Sequence, residues 1–102
     1  MVILDPPAFT KTRSAVEGAL RGYKEINLRG MKLTRDGGFF ITCSCSQHVT
    51  PDLFRGMLLE AQKDARVQLR QIEWRTQGRD HPILLASPET QYLKCGIVQV
   101  FK

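Results

Sequence analysis

The chain is 102 residues long, with 42% hydrophobic and 25% charged residues, which is the composition of one globular domain. That composition argues against disorder, collagen-like repeats and a multidomain layout. No apolar stretch approaches the roughly 20 residues of a membrane-spanning helix, and the first five residues lack the regions of a signal peptide. We therefore expect a soluble, cytoplasmic protein without a membrane partner.

The net charge of +5 is concentrated in the first third of the chain. Residues 1–35 hold seven basic and three acidic residues. The basic ones are Lys11, Arg13, Arg21, Lys24, Arg29, Lys32 and Arg35. A local basic excess is typical of a surface that contacts a polyanion such as RNA, and it is equally typical of a solvated helix face. The charge alone leaves both interpretations open.

The first half of the chain has the pattern of a β-α-β unit. Val2-Ile3-Leu4 predicts a short strand that ends at Pro6, because proline fixes φ and removes a hydrogen-bond donor. The continuous apolar run 39–43 predicts a second strand, buried on both faces. Between them, apolar or small side chains recur every three or four residues over 13–33, which predicts a long helix. These side chains are Val16, Ala19, Leu20, Tyr23, Ile26, Gly30 and Leu33.

The second half predicts one helix and two strands. Thr50-Pro51 is typical of a helix start, with threonine as N-cap and proline in the first turn. A strand is predicted over 67–76 and a closing strand over 94–101, separated by a loop over 77–91. In the first of these strands, alternation places Arg70, Ile72 and Trp74 on one face. The resulting order, β-α-β-α-β-loop-β, predicts an α/β layered sheet.

Two loops follow the first two predicted strands. In an open α/β sheet, ligands bind beyond the carboxyl ends of the strands. Asp5 comes directly after the first strand, and Cys45 follows the second. Neighbouring parallel strands lie roughly 4.8 Å apart, so we expect this carboxylate and this thiol to share one pocket.

The cysteines do not predict a disulfide framework, because there are only three: Cys43, Cys45 and Cys95. Cys43 and Cys95 fall within predicted strands and are interpreted as small core residues, although Cys43 and Cys45 could in principle form a strained redox pair. His48 and His81 are interpreted as surface or capping residues. Since no ligand cluster surrounds either histidine, we expect no metal site.

Several short motifs occur in a fixed order along the chain. They are D-P-P-x-F at 5–9, R-G-Y-K-E-I-N at 21–27, S-C-S at 44–46, D-H-P at 80–82 and Y-L-K at 92–94. Together they resemble the C-terminal half of the bacterial large-subunit ribosomal RNA cytosine-5 methyltransferases, over nearly the whole chain. The resemblance implies the C-terminal half of a Rossmann-like methyltransferase sheet with an antiparallel last strand. It also implies S-adenosylmethionine as cofactor and ribosomal RNA as partner.

The resemblance further implies roles for single residues. Cys45 matches the family nucleophile, which adds to C6 of cytosine, and Asp5 matches the acid that hydrogen-bonds the base. Pro6, Pro7 and Phe9 would shape the slot and stack on the extruded base. Asp5 and Pro6 would also border the cofactor. The residues that would contact RNA phosphates are Lys11, Arg21 and Lys24.

Part of the family pattern is absent, namely the glycine-rich turn and the acidic residue that hold the cofactor. We infer a partial methyltransferase domain over 1–102, a fragment of a larger enzyme that is inactive in isolation. Two alternatives stay open. One is a non-catalytic RNA-binding or scaffold half-domain, which the missing turn favours. The other is an amino-group (N4 or N6) nucleic-acid methyltransferase, whose loop has an aromatic residue where this chain has Ala8.

The first strand predicts self-association. In the parent fold this strand pairs with a strand that the chain lacks, so its outer edge would expose unpaired N–H and C=O groups. A two-fold contact between copies would cover that edge or the sheet face left without neighbours. We therefore expect the isolated chain to be a homodimer.

Overall fold

The computed structural model describes residues 1–7, 15–87 and 90–102. The elements are β1 (Val2–Leu4), α1 (Val16–Leu33), β2 (Phe39–Ser44), α2 (Pro51–Ala65), β3 (Gln68–Arg75) and β4 (Lys94–Phe101). The predicted mixed α/β class is confirmed. Among these described residues, no helix has the length and apolarity needed to cross a membrane.

The four strands form one sheet in the spatial order β1-β2-β4-β3. β1 runs parallel to β2, with Leu4 opposite Thr42. β4 runs antiparallel to both of its neighbours, and Ser44 of β2 lies opposite Lys94. The last strand of the chain is therefore an inner strand of the sheet. The outer edge of β1 has no partner strand within the described ranges.

Both helices pack on the same face of the sheet. The ring of Tyr23 in α1 meets that of Phe54 in α2 at 6.1 Å, and Phe54 in turn lies 5.9 Å from the ring of Trp74 in β3. Phe40 of β2 is fully buried under the helices, whereas Phe39 is 43% exposed on the opposite face. The expectation that β2 is buried on both faces is therefore wrong, because no described element covers this second face.

The buried stripe of α1 differs from the predicted one at its end. Its buried residues are Ala19, Tyr23, Asn27, Gly30 and Met31. Leu33, which we expected on this face, is the last residue of the helix and is 77% exposed. Asn27 takes a core position by satisfying its polar atoms. Its side-chain amide donates to the Tyr23 carbonyl at 2.7 Å and accepts from the Thr42 hydroxyl.

The start of α2 follows the sequence prediction. The Thr50 hydroxyl accepts a hydrogen bond from the Leu53 N–H at 3.2 Å, and Pro51 is the first helical residue. This bond satisfies one of the amide donors that a helix leaves free at its N-terminus, while proline has no donor to satisfy. The predicted N-cap is confirmed.

A β-bulge between Gln71 and Glu73 changes the register of β3. Trp74 points to the helix side, whereas the Arg70 guanidinium lies 5.3 Å from the ring centre of Phe101 on the open face. The expectation that Arg70, Ile72 and Trp74 share a face is wrong, since a bulge adds one residue and so reverses the alternation beyond it.

Gly30 marks the closest approach between α1 and the sheet. A Cβ at this position would lie 2.6 Å from Cε1 of the buried Phe40 ring. We expect Gly30→Ala to lower the free energy of unfolding by about 1–3 kcal/mol, as overpacking does. Gly56→Ala is the control, because that glycine is exposed on α2 and, apart from its own stretch of helix, nothing lies within 4 Å of the added Cβ. It should raise stability by about 0.5–1 kcal/mol. Urea unfolding of both variants measures the difference, and equal stabilisation would contradict this packing.

Candidate functional site

Asp5 and Cys45 lie beyond the carboxyl ends of the parallel strands β1 and β2. Asp5 follows Leu4, whose register partner is Thr42, and Cys45 comes three residues after Thr42. Both side chains are exposed. Their charges both contribute to the raised pKa of Cys43, so the two groups act on one small region. The structure thus places the predicted carboxylate and thiol at the same edge of the sheet.

A buried hydroxyl network holds the loop that carries Cys45. The Tyr23 hydroxyl lies 2.6 Å from the Ser46 hydroxyl and accepts from the Ser44 hydroxyl at 3.0 Å. The Ser46 N–H donates to the Ser44 hydroxyl at 3.3 Å. Ser44 and Ser46 are both buried, while Cys45 between them is exposed. The serines therefore anchor the loop to α1 and leave the thiol facing solvent.

Cys43 and Cys95 form a cross-strand pair. They lie opposite each other in β2 and β4, and their sulfurs are 3.2 Å apart. Burial, the hydrogen bond to Cys95 and nearby negative charges raise the pKa of Cys43 to about 12. Its thiol is therefore protonated at neutral pH and is a poor nucleophile. Both residues are half-buried on the open face of the sheet and not in the helix-covered core.

Lys94 belongs to the same region, and the sequence analysis gave it no role. Its side chain is fully buried, and its ammonium donates to the carbonyls of Ser46 and Tyr92, each at 2.7 Å. Burial lowers the pKa of Lys94 to about 8, while the charge of a Cys45 thiolate acts in the opposite direction. Two signals mark it in the sequence: its place in Y-L-K, and an alternation that gives β4 the inward positions Lys94, Gly96, Val98 and Val100.

The predicted base slot is described only in part. Pro6 is half-buried and Pro7 is exposed, directly after Asp5. Phe9 lies outside the described residues, and so does Lys11 of the predicted phosphate contacts. The described proline residues continue the loop from the end of β1 at the edge where Cys45 lies.

The two predicted phosphate contacts on α1 lie in mixed electrostatic surroundings. Arg21 is exposed. The Lys24 ammonium lies 2.8 Å from the Asp64 carboxylate and 3.9 Å from that of Glu60, and the hydrogen bond that it donates to Asp64 raises the pKa of Lys24. Arg21 and Lys24 also line a groove of about 340 Å³ between the helices, which Asp52 and Glu60 line as well. In the free protein, the positive charge of Lys24 is therefore partly neutralised by these two carboxylates.

The structure describes both residues that were expected to border the cofactor, Asp5 and Pro6. The exposed Asp5 carboxylate and the half-buried Pro6 ring lie at the carboxyl end of β1, where α/β sheets bind ligands. No glycine-rich phosphate- or cofactor-binding turn occurs in the sequence. Within the described ranges, no cluster of His, Cys, Asp and Glu has the arrangement of a metal site.

Comparison with known proteins gives relatives that are methyltransferases. The chain is 42% identical over 101 residues to the ribosomal RNA large subunit methyltransferase I of Shewanella frigidimarina, covering 99% of the chain and 25% of that protein. It is 40% identical over 94 residues to the enzyme of the same name from Escherichia coli, covering 92% of the chain and 24% of that protein. No family model matches.

A solved structure shares the fold. A crystal structure described as a methyltransferase complexed with SAH superimposes with a TM-score of 0.79 at 16% identity, over 96% of this chain and 25% of that one. The relatives at 40–42% identity confirm the resemblance to large-subunit ribosomal RNA methyltransferases. The chain spans about a quarter of the length of the curated relatives it matches.

Proposed function

We propose that this chain is the base-binding part of an S-adenosylmethionine-dependent ribosomal RNA methyltransferase, which methylates C5 of a cytidine with Cys45 as its nucleophile. The observation that carries the proposal is the position of Cys45, an exposed thiol at the carboxyl end of β2 on the same sheet edge as Asp5. Cys43, two residues earlier, is half-buried and protonated at neutral pH. We therefore assign the nucleophilic attack to the Cys45 thiolate and not to Cys43.

The proposed reaction needs a nucleophile because C5 of cytosine is unreactive on its own. The Cys45 thiolate forms a bond to C6, and the π electrons of the C5–C6 double bond move to C5 and into the ring. S-adenosylmethionine, when bound, supplies the methyl group that C5 takes up. Loss of the C5 proton to solvent then restores the double bond as the bond from sulfur to C6 breaks, which returns the thiolate.

Asp5 acts on the other side of the base in this proposal. Its carboxyl group hydrogen-bonds the base edge and stabilises the ring as charge develops at N3. Pro6, Pro7 and Phe9 form the slot for the base, which must leave the RNA stack to reach Cys45. Asp5 and Pro6 also form the side of the cofactor site at the end of β1.

The rest of the cofactor site belongs to another part of the enzyme in this proposal. The chain spans about a quarter of the length of its curated relatives, which supports this division. We therefore propose that 1–102 is a partial methyltransferase domain, inactive until it is joined to a cofactor-binding half.

The one-sided cofactor site also favours a second candidate, a non-catalytic RNA-binding half-domain. Calorimetry with S-adenosylmethionine separates an autonomous enzyme from the partial methyltransferase domain and from the non-catalytic half-domain. Binding as tight as that of a complete enzyme would contradict the partial domain, and an absence of heat would support it.

Substitution of the two cysteines near the end of β2 tests the nucleophile. The chain is joined to the cofactor-binding half of the Shewanella relative and given S-adenosylmethionine and RNA that contains 5-fluorocytidine. Fluorine at C5 cannot leave as a proton does, so the bond from Cys45 to C6 should persist and give a covalent complex on a denaturing gel. We expect Cys45→Ala to abolish the complex and Cys43→Ala to retain it. A covalent complex that still forms in the Cys45→Ala variant would contradict the assignment of Cys45 as the nucleophile.

In the same joined enzyme, Asp5→Asn tests the acid. Because its proposed role arises as charge develops on the ring, turnover of unmodified RNA should fall by two or more orders of magnitude while RNA affinity changes little. Parallel losses of turnover and affinity would reduce Asp5 to a binding residue.

The salt dependence of RNA binding tests the proposed phosphate contacts Lys11, Arg21 and Lys24. Each contact that is removed should lower the slope of log affinity against log salt by about 0.7–0.9, without altering sequence preference. Lys24→Ala should change the slope less than Arg21→Ala, because Lys24 must first leave Asp64. Lys63→Ala, an exposed lysine on α2, is the control. Unchanged slopes would indicate a solvated helix face.

We also propose that the isolated chain is a homodimer. The outer edge of β1 has no partner strand in the described structure, and Ile3, Ile41 and Ile97 form a row across the open sheet face. A second copy would bury either surface, which the cofactor-binding half would cover in the complete enzyme. Light scattering after gel filtration over a concentration series should give a dimer mass. A monomer mass at every concentration would defeat the proposal.

A further inference from the structure

Lys94 connects the inner strand β4 to the loop that carries Cys45. It lies opposite Ser44 in the sheet register, and its ammonium donates to the carbonyl of Ser46, the residue that follows Cys45. The ammonium donates a second hydrogen bond to the carbonyl of Tyr92, two residues before Lys94 in the chain. Lys94 therefore contacts the backbone of the residue that follows Cys45, while its own side chain is fully buried.

The charge of Lys94 has no carboxylate partner within 4 Å among the described residues. A buried ammonium bound only to neutral carbonyls is costly, since the two bonds replace hydration but do not neutralise the charge. The Cys45 thiolate is the group whose negative charge favours the charged form of Lys94. Because the ammonium is bound to the carbonyl of Ser46, this positive charge lies at the loop that carries the Cys45 sulfur.

A purely structural role for Lys94 is the competing explanation. Two backbone carbonyls would be satisfied by any donor of suitable length, and a positive charge would then be incidental. Such a role predicts that removing Lys94 disturbs the loop and changes every reaction of Cys45 to the same degree. A role for the charge predicts that reactions with negatively charged reagents change more than reactions with neutral ones.

We propose that Lys94 is a positioning residue for Cys45, one that fixes the loop through the Ser46 carbonyl and holds a buried positive charge behind that loop when the thiolate attacks the base and when it leaves. The inference rests on the proposed nucleophilic role of Cys45. Its placement differs from that of the surface lysines, because this ammonium is bound to the loop and shielded from solvent.

The test compares a neutral and an anionic thiol reagent on the chain itself, without RNA or cofactor. Cys43→Ala and Cys95→Ala leave Cys45 as the single thiol of the chain. The rates of alkylation by iodoacetamide and by iodoacetate are measured at pH 7, and their ratio reports the charge near the sulfur. We expect Lys94→Met to lower the rate with iodoacetate relative to iodoacetamide by about 3–10-fold. Lys63→Met removes the same charge from the exposed face of α2 and should leave the ratio unchanged.

Two further variants cover the loss of the buried hydrogen bonds. Lys94→Arg keeps the charge and should keep the ratio. Lys94→Gln keeps an N–H donor without charge and should lower the ratio, so it decides the matter if Lys94→Met does not fold. An unchanged ratio in the uncharged variants would overturn the proposal. Covalent trapping of 5-fluorocytidine is a separate measurement, so trapping with an unchanged ratio refutes only the role of Lys94, and a lowered ratio without trapping refutes only the proposed function.

Discussion

The hydroxyl of Tyr23 is the contact on which the candidate site depends. It joins the middle of α1 to the end of β2 through Ser44 and Ser46, at 3.0 Å and 2.6 Å. Because all three side chains are buried, breaking one bond leaves polar groups without partners in a dry environment, where such a loss is expensive. With Ser44 and Ser46 both held inward, the Cys45 thiol between them faces solvent.

Lys94 adds a third constraint to this loop. The serine side chains are held from the helix side and the Ser46 carbonyl is held from β4. The loop is thus connected to α1, β2 and β4, three elements that are distant in sequence. A nucleophile gains from such support, because attack on a base requires a fixed distance and direction.

The sequence was most informative where local chemistry decides the structure. Thr50-Pro51 predicts the start of α2 because capping involves only the first turn of the helix. The position of Asp5 and Cys45 at one sheet edge also follows from local patterns, since strand ends in a parallel pair coincide. The chemical roles expected of Asp5 and Cys45 came from the motifs, because periodicity indicates only secondary structure.

The sequence was least informative where tertiary contacts decide. Apolar character predicted burial of Leu33, but the stripe of α1 continues through Asn27, whose polar atoms are satisfied by Tyr23 and Thr42. The bulge in β3 leaves no mark in the alternation, and it moves Trp74 to the opposite face from Arg70. A charged residue at the start of a strand predicts exposure, yet Lys94 is buried because two backbone carbonyls accept hydrogen bonds from its ammonium.

The inner position of β4 has a consequence for the order in which the chain acquires its structure during synthesis. β4 follows all the other described elements in the sequence, yet it supplies the pairing surface for both β2 and β3. Until it emerges, β3 has no strand to pair with and the loop after β2 lacks the lysine that holds it. The helices and the parallel pair can assemble earlier from contacts closer in sequence, but completion of the sheet and of the loop that carries Cys45 is a single late event. Translation arrested before 94 would release a chain with two further open strand edges, on β2 and β3, and an unsupported thiol loop, a form exposed to aggregation and proteolysis.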